Sequence, residues 1–436
     1  MDNEINLNPA PAPRTFHCPE CRHTLSYPAT LKPEYAGCPK CHNLFAFTAN
    51  GYNRTQQFDT TWKPPCIPLD SKALIDGVQW TVTGYMLREE KKEDFIWREF
   101  LLTGRNGEIA FLAESMGHWT FNRPYTLTLQ DSLGKNDDPY IDADGTQFRL
   151  FHKYFAKYVY LEGVFNWDVN AKNATYCADY VASPRIFISE KQDGDESYFI
   201  GRHIGQKEIF KAFGQKFDLP SRVGTGAAQP LAWGIEPLQF TKFGAVLCFI
   251  ILAMQVWQNP KHYNKAIYST DLTVYDSTIG KPIVSESFEL PGTRSQLMEV
   301  AVYAPVENKW AEAELLMVNE KTGEETTVST GVEYYRGVEG GESWSEGNQR
   351  TTTTLCSVEP GRYHFTITPF AEAATTAADA MVMNVKVTWD IVSWWNTIWA
   401  LILVVGTIII VYWYEYSFEK KRWYNSNYSP YQYDDE

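Results

Sequence analysis

The sequence is short of positive charge. Its 436 residues carry 39 Lys and Arg against 53 Asp and Glu, a formal net charge of −14. Binding to nucleic acid is driven by Lys and Arg displacing counterions from phosphates, so no nucleic-acid partner is expected. Also missing are a nucleophile motif, a metal-spaced His pair and a Gly-rich phosphate loop, and no reaction class can be read from the residues. Cysteine is scarce after the first 41 residues: Cys66, Cys177, Cys248 and Cys356 stand singly, which excludes an extracellular disulfide framework. The opening residues MDNEINLNPAPAP are polar and Pro-rich, unlike a signal peptide. A hydrophobic fraction of 44% with 21% charged residues rules out wholesale disorder. The 15% aromatic content points to β-structure, membrane interfaces, or both.

The first cysteines do form a pattern. Cys18, Cys21, Cys38 and Cys41 read C-x2-C-x16-C-x2-C, each pair in a Cys-Pro-x-Cys turn. Two such turns joined by a short hairpin place four thiolates at the corners of a tetrahedron, which suits one structural zinc ion with no open position. Leu25, Leu44 and Phe45 would cover a module too small to fold without its metal. Two disulfides or a redox CxxC are the rival readings. His17, His23 and His42 adjoin a complete ligand set and are expected to be exposed. The module resembles the rubredoxin-like zinc ribbons of bacterial membrane proteins, which usually dock other proteins. Residues 1–66 hold six Lys and Arg and five Asp and Glu, no basic stripe, which favours docking.

Two apolar runs are long enough to cross about 30 Å of hydrocarbon. The first covers residues 238–258, with Lys242 placed to snorkel and Pro237 and Pro260 at its ends; a buried core helix is the competing reading. The second, residues 394–414, is flanked by Trp394, Trp395, Tyr412, Trp413 and Tyr414, an aromatic belt at both interfaces. Lys420, Lys421 and Arg422 follow it, which by the positive-inside rule puts the 415–436 tail in the cytoplasm. Two spans then put the amino terminus there too, where thiols stay reduced. Residues 259–393 fall outside. The stretch 258–393 carries 10 Lys and Arg against 19 Asp and Glu.

Between ribbon and membrane, residues 67–222 alternate as short strands, followed by a linker at 223–237. Val78–Val82, Ile96–Leu102, Ile109–Leu112, Tyr158–Gly163, Arg185–Ser189 and Tyr198–Gly201 are the clearest, and they suggest a curved antiparallel sheet or a small barrel pair. QKEIFKAF, Gln206 to Phe213, is the one helix expected here. The order GVQWTVTGYM, FIWREFLL, FLAESMGHW, EGVFNWDV, ADYVASPRIFISEK and SYFIGRHI resembles the bacterial family called domain of unknown function 4178. Ala182-Ser183-Pro184 and Gly201-Arg202-His203-Ile204 depart from that family's pattern. The resemblance covers about 140 residues, and it implies a membrane-associated role in the cell envelope, envelope stress included, without implying an activity.

Glu99, Glu114, His118, Asp179 and Glu190 are the candidates for acid–base work, although surface or strand-end positions explain them as well. His118 and Trp119 together are candidate binding residues, an imidazole beside an indole lining a groove. Cys66 and Cys177 read as structural. The acidic run Asp137–Gly145 lacks calcium-loop spacing and reads as a solvated loop. Asn53-Arg-Thr and Asn173-Ala-Thr are chance glycosylation triplets if cytoplasmic.

Residues 265–390 alternate as a β-sandwich. The stretch 337–354, GVEGGESWSEGNQRTTTT, reads as a Gly-rich acidic loop whose Trp344 and Glu346 are candidate binding residues for a sugar, a lipid headgroup or a protein. The expected fold is therefore mainly β: a zinc ribbon with its linker (1–66), a cytoplasmic antiparallel β-domain (67–222), and two transmembrane helices flanking an extracytoplasmic β-sandwich. The expected function is a non-enzymatic sensor, scaffold or assembly factor of the bacterial plasma (inner) membrane. Its partners would be membrane lipid and other membrane or membrane-associated proteins, as a hetero- or homo-oligomer. An enzyme acting near His118 and Glu114, or a glycan- or lipid-binding envelope module using Trp344, is the alternative.

Overall fold

The computed structural model describes residues 12–59, 64–91, 95–133, 139–169, 174–231, 233–234, 236–372 and 380–433. Of the sequence features above, residues 1–11, Asp137–Asp138 and Asn173 lie outside the described residues. The chain is mainly β and divides into two compact units, one made of residues 1–236 with 411–436, the other of residues 237–410.

In the first unit, the cysteine-rich segment forms β1 (Arg14–His17), β2 (Thr24–Tyr27), β3 (Tyr35–Gly37), β4 (Asn43–Thr48) and β5 (Gly51–Gln57). After β6 (Lys72–Ile75) come β7 (Val78–Glu90), β8 (Ile96–Gly104), β9 (Ile109–Ser115) and β10 (His118–Tyr125). β11 (Ser132–Leu133), β12 (Tyr140–Ala143), the 20-residue β13 (Thr146–Phe165), β14 (Thr175–Ala182), β15 (Arg185–Gln192) and β16 (Asp195–Ile204) follow. Pairing runs β13-β14-β15-β16-β10-β9-β8-β7 and returns to β13, so eight antiparallel strands close into a barrel. The closing strand serves both sides: Arg149–Ala156 of β13 pair with β14, whereas Lys157–Gly163 pair with β7.

The registers follow from turn chemistry. Asp76-Gly77, Asp144-Gly145 and Asp193-Gly194 each join two strands through two residues of positive φ, the turn whose twist matches paired strands. The acidic run expected to be a loop is thus partly a hairpin, with Tyr140–Ala143 paired to β13. The outer face of β6–β10 carries Trp80, Tyr85, Phe100, Trp119 and Phe121, covered by Ile209 and Phe213 of α1 (Gln206–Phe213), the helix expected there. Fully burying each such side chain contributes roughly 1.5–3 kcal/mol.

β3 pairs with the far end of β13, so the cysteine module continues the barrel sheet. At Gly37 a Cβ would lie 2.3 Å from the Leu161 carbonyl oxygen, and glycine alone allows the approach. His42, expected to be exposed, instead packs on the barrel, its Nδ1 3.0 Å from the Tyr160 hydroxyl.

The second unit begins with α2 (Pro237–Gln258) and ends in α3 (Trp395–Arg422), whose last turns belong to the first unit. Both helices are long and apolar enough to cross a membrane. Their approach needs Gly244, where a Cβ would meet the Ile408 side chain at 2.6 Å. Near the opposite end, Thr397 donates to the Gln255 side-chain oxygen at 2.8 Å. α3 continues beyond the expected span end at 414, so the 415–436 tail opens as helix.

Between the helices lie β17 (Lys265–Val274), β18 (Ile283–Val284), β19 (Phe288–Leu290), β20 (Gln296–Tyr303), β21 (Lys309–Asn319), β22 (Glu325–Glu339), β23 (Glu342–Asn348), β24 (Arg350–Val358), β25 (Gly361–Ala371) and β26 (Met381–Trp389). One sheet runs β17-β26-β20-β24 and the other β18-β25-β21-β22-β23, with β19 also on β25. Their facing residues, Val300, Val302, Leu315, Phe365, Ile367, Val385 and Trp389 among them, share one core.

Candidate metal centre and barrel cavity

The two Cys-Pro-x-Cys turns fold identically. The backbone N–H of Arg22 donates to Cys18 and that of His42 to Cys38, both at 2.9 Å, and Arg22 and His42 each take positive φ. The return bonds, Cys18 N–H to His23 and Cys38 N–H to Asn43, are also 2.9 Å. Four sulfurs thereby meet within 4.8 Å of one another. The 3.5 Å separations of Cys18 from Cys41 and of Cys21 from Cys38 are far too long for disulfides. They approach the roughly 3.8 Å edge of a sulfur tetrahedron with metal–sulfur bonds of about 2.3 Å. Burial pushes the Cys18 and Cys38 thiols up. For Cys41 burial acts the same way, but hydrogen bonds from the Asn43 side chain and backbone outweigh it and bring the thiol to about 7. The donor set fits one tetrahedrally bound metal ion with all four positions taken.

Of the other expected site residues, His118 and Glu114 border a cavity at the barrel, whereas Trp119, Trp344 and Glu346 lie away from it. Strand alternation sends His118 and Trp119 to opposite faces of β10, so they line no common groove. Trp119 is fully buried in the outer-face core, stacked on Phe100 at 5.8 Å. His118 is wedged against Gly226, its Nε2 3.1 Å from the Val223 carbonyl, and burial lowers its pKa. Glu114 is buried, paired with Arg98 at 2.5 Å and accepting the Gly117 N–H at 2.7 Å. Both are spent on holding their neighbours. The expected 337–354 loop is a hairpin of β22 and β23 through Gly340-Gly341, where two positive-φ residues make a tight turn. Trp344 and Glu346 lie exposed on β23, the indole packed over Gly337.

All five acid–base candidates line one cavity, and Glu99, Asp179 and Glu190 lie inside the barrel itself. Alternate residues of the strands point inward, so Arg88 of β7, Glu99 of β8, Asn122 of β10, Tyr158 of β13, Cys177 and Asp179 of β14 and Glu190 of β15 surround one interior. Arg88, 3% exposed, bonds Glu190 at 2.5 Å and Glu99 at 3.3 Å, and stacks over Trp97 and Tyr158. Trp97 Nε1 donates to Glu99 at 2.7 Å, and Tyr154 donates to Asp179 at 3.3 Å. Burial raises the Glu99 carboxyl, and burial together with Glu190 lifts Asp179 to about 7. Two cavities open into this interior, of 820 Å³ and 560 Å³, and both touch Glu99, Asn122 and Glu190. Sequence reasoning missed Arg88, and read Cys177 as structural without seeing its setting. Arg88-Glu89-Glu90 reads along the strand as an unbroken charged run, which gives no alternation to mark Arg88 as inward-facing.

At the second cavity's rim the carboxyl-terminal segment is built in rather than free. Arg422 is 2% exposed and donates to the Ala227 carbonyl at 2.6 Å and to Glu419 at 3.0 Å. Trp423 packs on Phe151, and Arg149 stacks on its indole at 5.2 Å. One of the three basic residues that set the expected topology is therefore also a structural clamp.

Comparison with known proteins adds little beyond the family. No curated protein matches the chain. Among solved structures it is similar to a chain in the structure of infectious bursal disease virus, Gt strain, with 9% identity and a TM-score of 0.18 over 82% of this chain. It is similar to PNGF-II with 6% identity and a TM-score of 0.17, over 71% of this chain and 68% of that one. The chain spans 65% of the length of the viral chain. Scores so low carry no argument about fold or use. Residues 69–206, which contain the closed barrel, match the model of a family described as domain of unknown function (DUF4178), and the match supports this chain as a member of that family.

Proposed function

We propose that the protein is a membrane-anchored, non-enzymatic sensor or scaffold of a bacterial envelope, with zinc in the four-cysteine centre. α2 and α3 cross the plasma membrane, both termini are cytoplasmic, and the sandwich between the helices lies outside. Its partners are membrane lipid and other membrane or membrane-associated proteins. Zinc follows from a closed set of four thiolates in a reducing compartment, a soft-donor tetrahedron with no position for a reacting ligand.

The observation that carries the reading is the seam at the end of α3. A tail that merely left the membrane would be solvated, yet Arg422 and Trp423 are buried against the barrel. A membrane helix fixed to a domain with an internal cavity can transmit a change in either direction. Removing the Glu419 carboxylate while Arg422 stays buried would cost on the order of 3–5 kcal/mol.

The test is membrane-impermeant maleimide applied to intact cells producing the full chain. Cys356 is exposed and should label from outside, while a cysteine introduced as Tyr428→Cys should label only after lysis. Labelling of the introduced cysteine in intact cells, or recovery of the chain in the supernatant without detergent, overturns the reading.

A further inference from the structure

We propose that the barrel interior is a binding site for a small organic cation, a molecule bearing an ammonium group on a modest apolar frame. This gives the sensor reading a stimulus, but binding inside the barrel does not depend on membrane topology.

The larger cavity is one-sided in charge. Among the described residues, Glu99, Asp168, Glu190, Asp193, Asp195 and Glu196 line it, with Arg88 the one basic residue. Low-dielectric walls of one sign focus the field and concentrate ligands of the opposite sign. At the cavity floor, one guanidinium serves both Glu99 and Glu190. The two carboxyl groups share that single positive charge, and burial raises the Glu99 carboxyl accordingly. An ammonium placed beside the two carboxylates completes the balance.

The walls suit the rest of such a molecule. Phe111 meets Trp167 at 5.7 Å and Phe199 at 5.4 Å, both edge to face, and Tyr158 continues the aromatic surface toward Arg88. Aromatic faces attract desolvated ammonium groups, as Arg88 over Trp97 and Tyr158 already illustrates. A bare metal ion fits less well: among the described residues, the four cysteines are the group of three or more donors gathered within 4.8 Å. The cation must bridge a wider space than an ion does.

The experiment is calorimetry on the full chain in detergent, using phenethylammonium, its neutral isostere 2-phenylethanol and the anion 3-phenylpropanoate. Phenethylammonium should bind about tenfold more tightly than the alcohol, and the carboxylate should not bind. Glu99→Gln with Glu190→Gln should abolish that tenfold preference. Because those changes disturb the Arg88 pairing, Asp195→Asn with Glu196→Gln on the β15–β16 turn is the second variant. It leaves the buried residues untouched and should weaken phenethylammonium about threefold at low salt, with the loss vanishing at high salt. Equal affinity for the ammonium and the alcohol, preference for the carboxylate, or ammonium binding unchanged in both variants overturns the proposal. Labelling of an introduced tail cysteine from outside the cell would overturn the topology and leave this result standing.

Discussion

The barrel and the sandwich solve the same problem in opposite ways. Both are antiparallel β-structures that must hide one face of each strand. The sandwich stacks two sheets and fills the gap with Val, Ala, Met, Phe and Trp389. The barrel closes one sheet on itself, puts its large apolar residues on the outer face of β6–β10, and leaves charged groups inside. An apolar core gains stability from every methylene it excludes from water. A buried ion pair contributes little or nothing net, so an interior made of Arg88, Glu99 and Glu190 is costly unless it serves something else. The contrast separates a region built for support from one built to receive a ligand.

Metal removal should produce the largest difference between the two. Structural zinc in small modules is worth on the order of 10–16 kcal/mol. Cys38→Ser, or a strong chelator, should therefore unfold the 12–58 segment, lower bound metal from one ion per chain to none, and leave the sandwich melting unchanged. Elemental analysis paired with hydrogen exchange over the two regions checks this; a metal-free chain with that segment still protected breaks it.

Next comes a matched pair of deletions. Trp389→Ala should destabilise the sandwich by about 3–5 kcal/mol through cavity formation. Arg88→Met should cost the barrel a similar 3–5 kcal/mol, because two carboxylates lose the buried guanidinium they share. The pair diverges on rescue. Adding Glu99→Leu and Glu190→Leu to Arg88→Met should recover most of the loss in chemical denaturation, whereas no neighbouring apolar change restores an excised indole so fully. Failure of the triple variant to recover would mean the charges hold the barrel together.

A pH effect of a few kcal/mol or less should be confined to the barrel. Asp179 titrates near 7 in the folded chain, far above an ordinary carboxyl. Between those values the folded chain holds a proton on Asp179 that the unfolded chain has released, so the Asp179 contribution to barrel stability falls as pH rises from about 4 to about 7. Buried His203, lowered to about 4, contributes the opposite slope. Asp179→Asn should remove the first contribution, while the sandwich, with no carboxyl so raised among its described residues, shows none of it. Thermal melts across the interval decide. Smallest of all, Trp344→Ala on the exposed hairpin should change sandwich stability by no more than about 0.5 kcal/mol.

Much of the architecture was legible because it rests on local patterns. The cysteine spacing, the two apolar runs and the helix at Gln206–Phe213 each depend on a few consecutive residues. What escaped depends on distant pairing. Closure of the barrel is a contact of Gly84 with Gly163, and no periodicity along either strand announces it. The same applies to Asp179 and Glu190, which look like polar strand positions until closure turns that face inward. His118 and Trp119 misled for a simpler reason: neighbours in a strand face apart, a rule available at the outset. Three Asp-Gly pairs, at 76, 144 and 193, were hairpin signals that the strand reading did not use. Gly340-Gly341 was a fourth of the same kind, hidden inside what looked like a polar loop.

The union of β3 with the far end of β13 has a practical corollary for anyone dividing this chain into pieces. The junction depends on two backbones touching at Gly37 and Leu161, so each loses a close-packed neighbour when the other is removed. Cutting near residue 66 would strip β13 of a neighbour and leave a raw ladder of amide groups ready to pair with another copy. The cysteine module is better regarded as the barrel's hem than as an accessory stitched to its front.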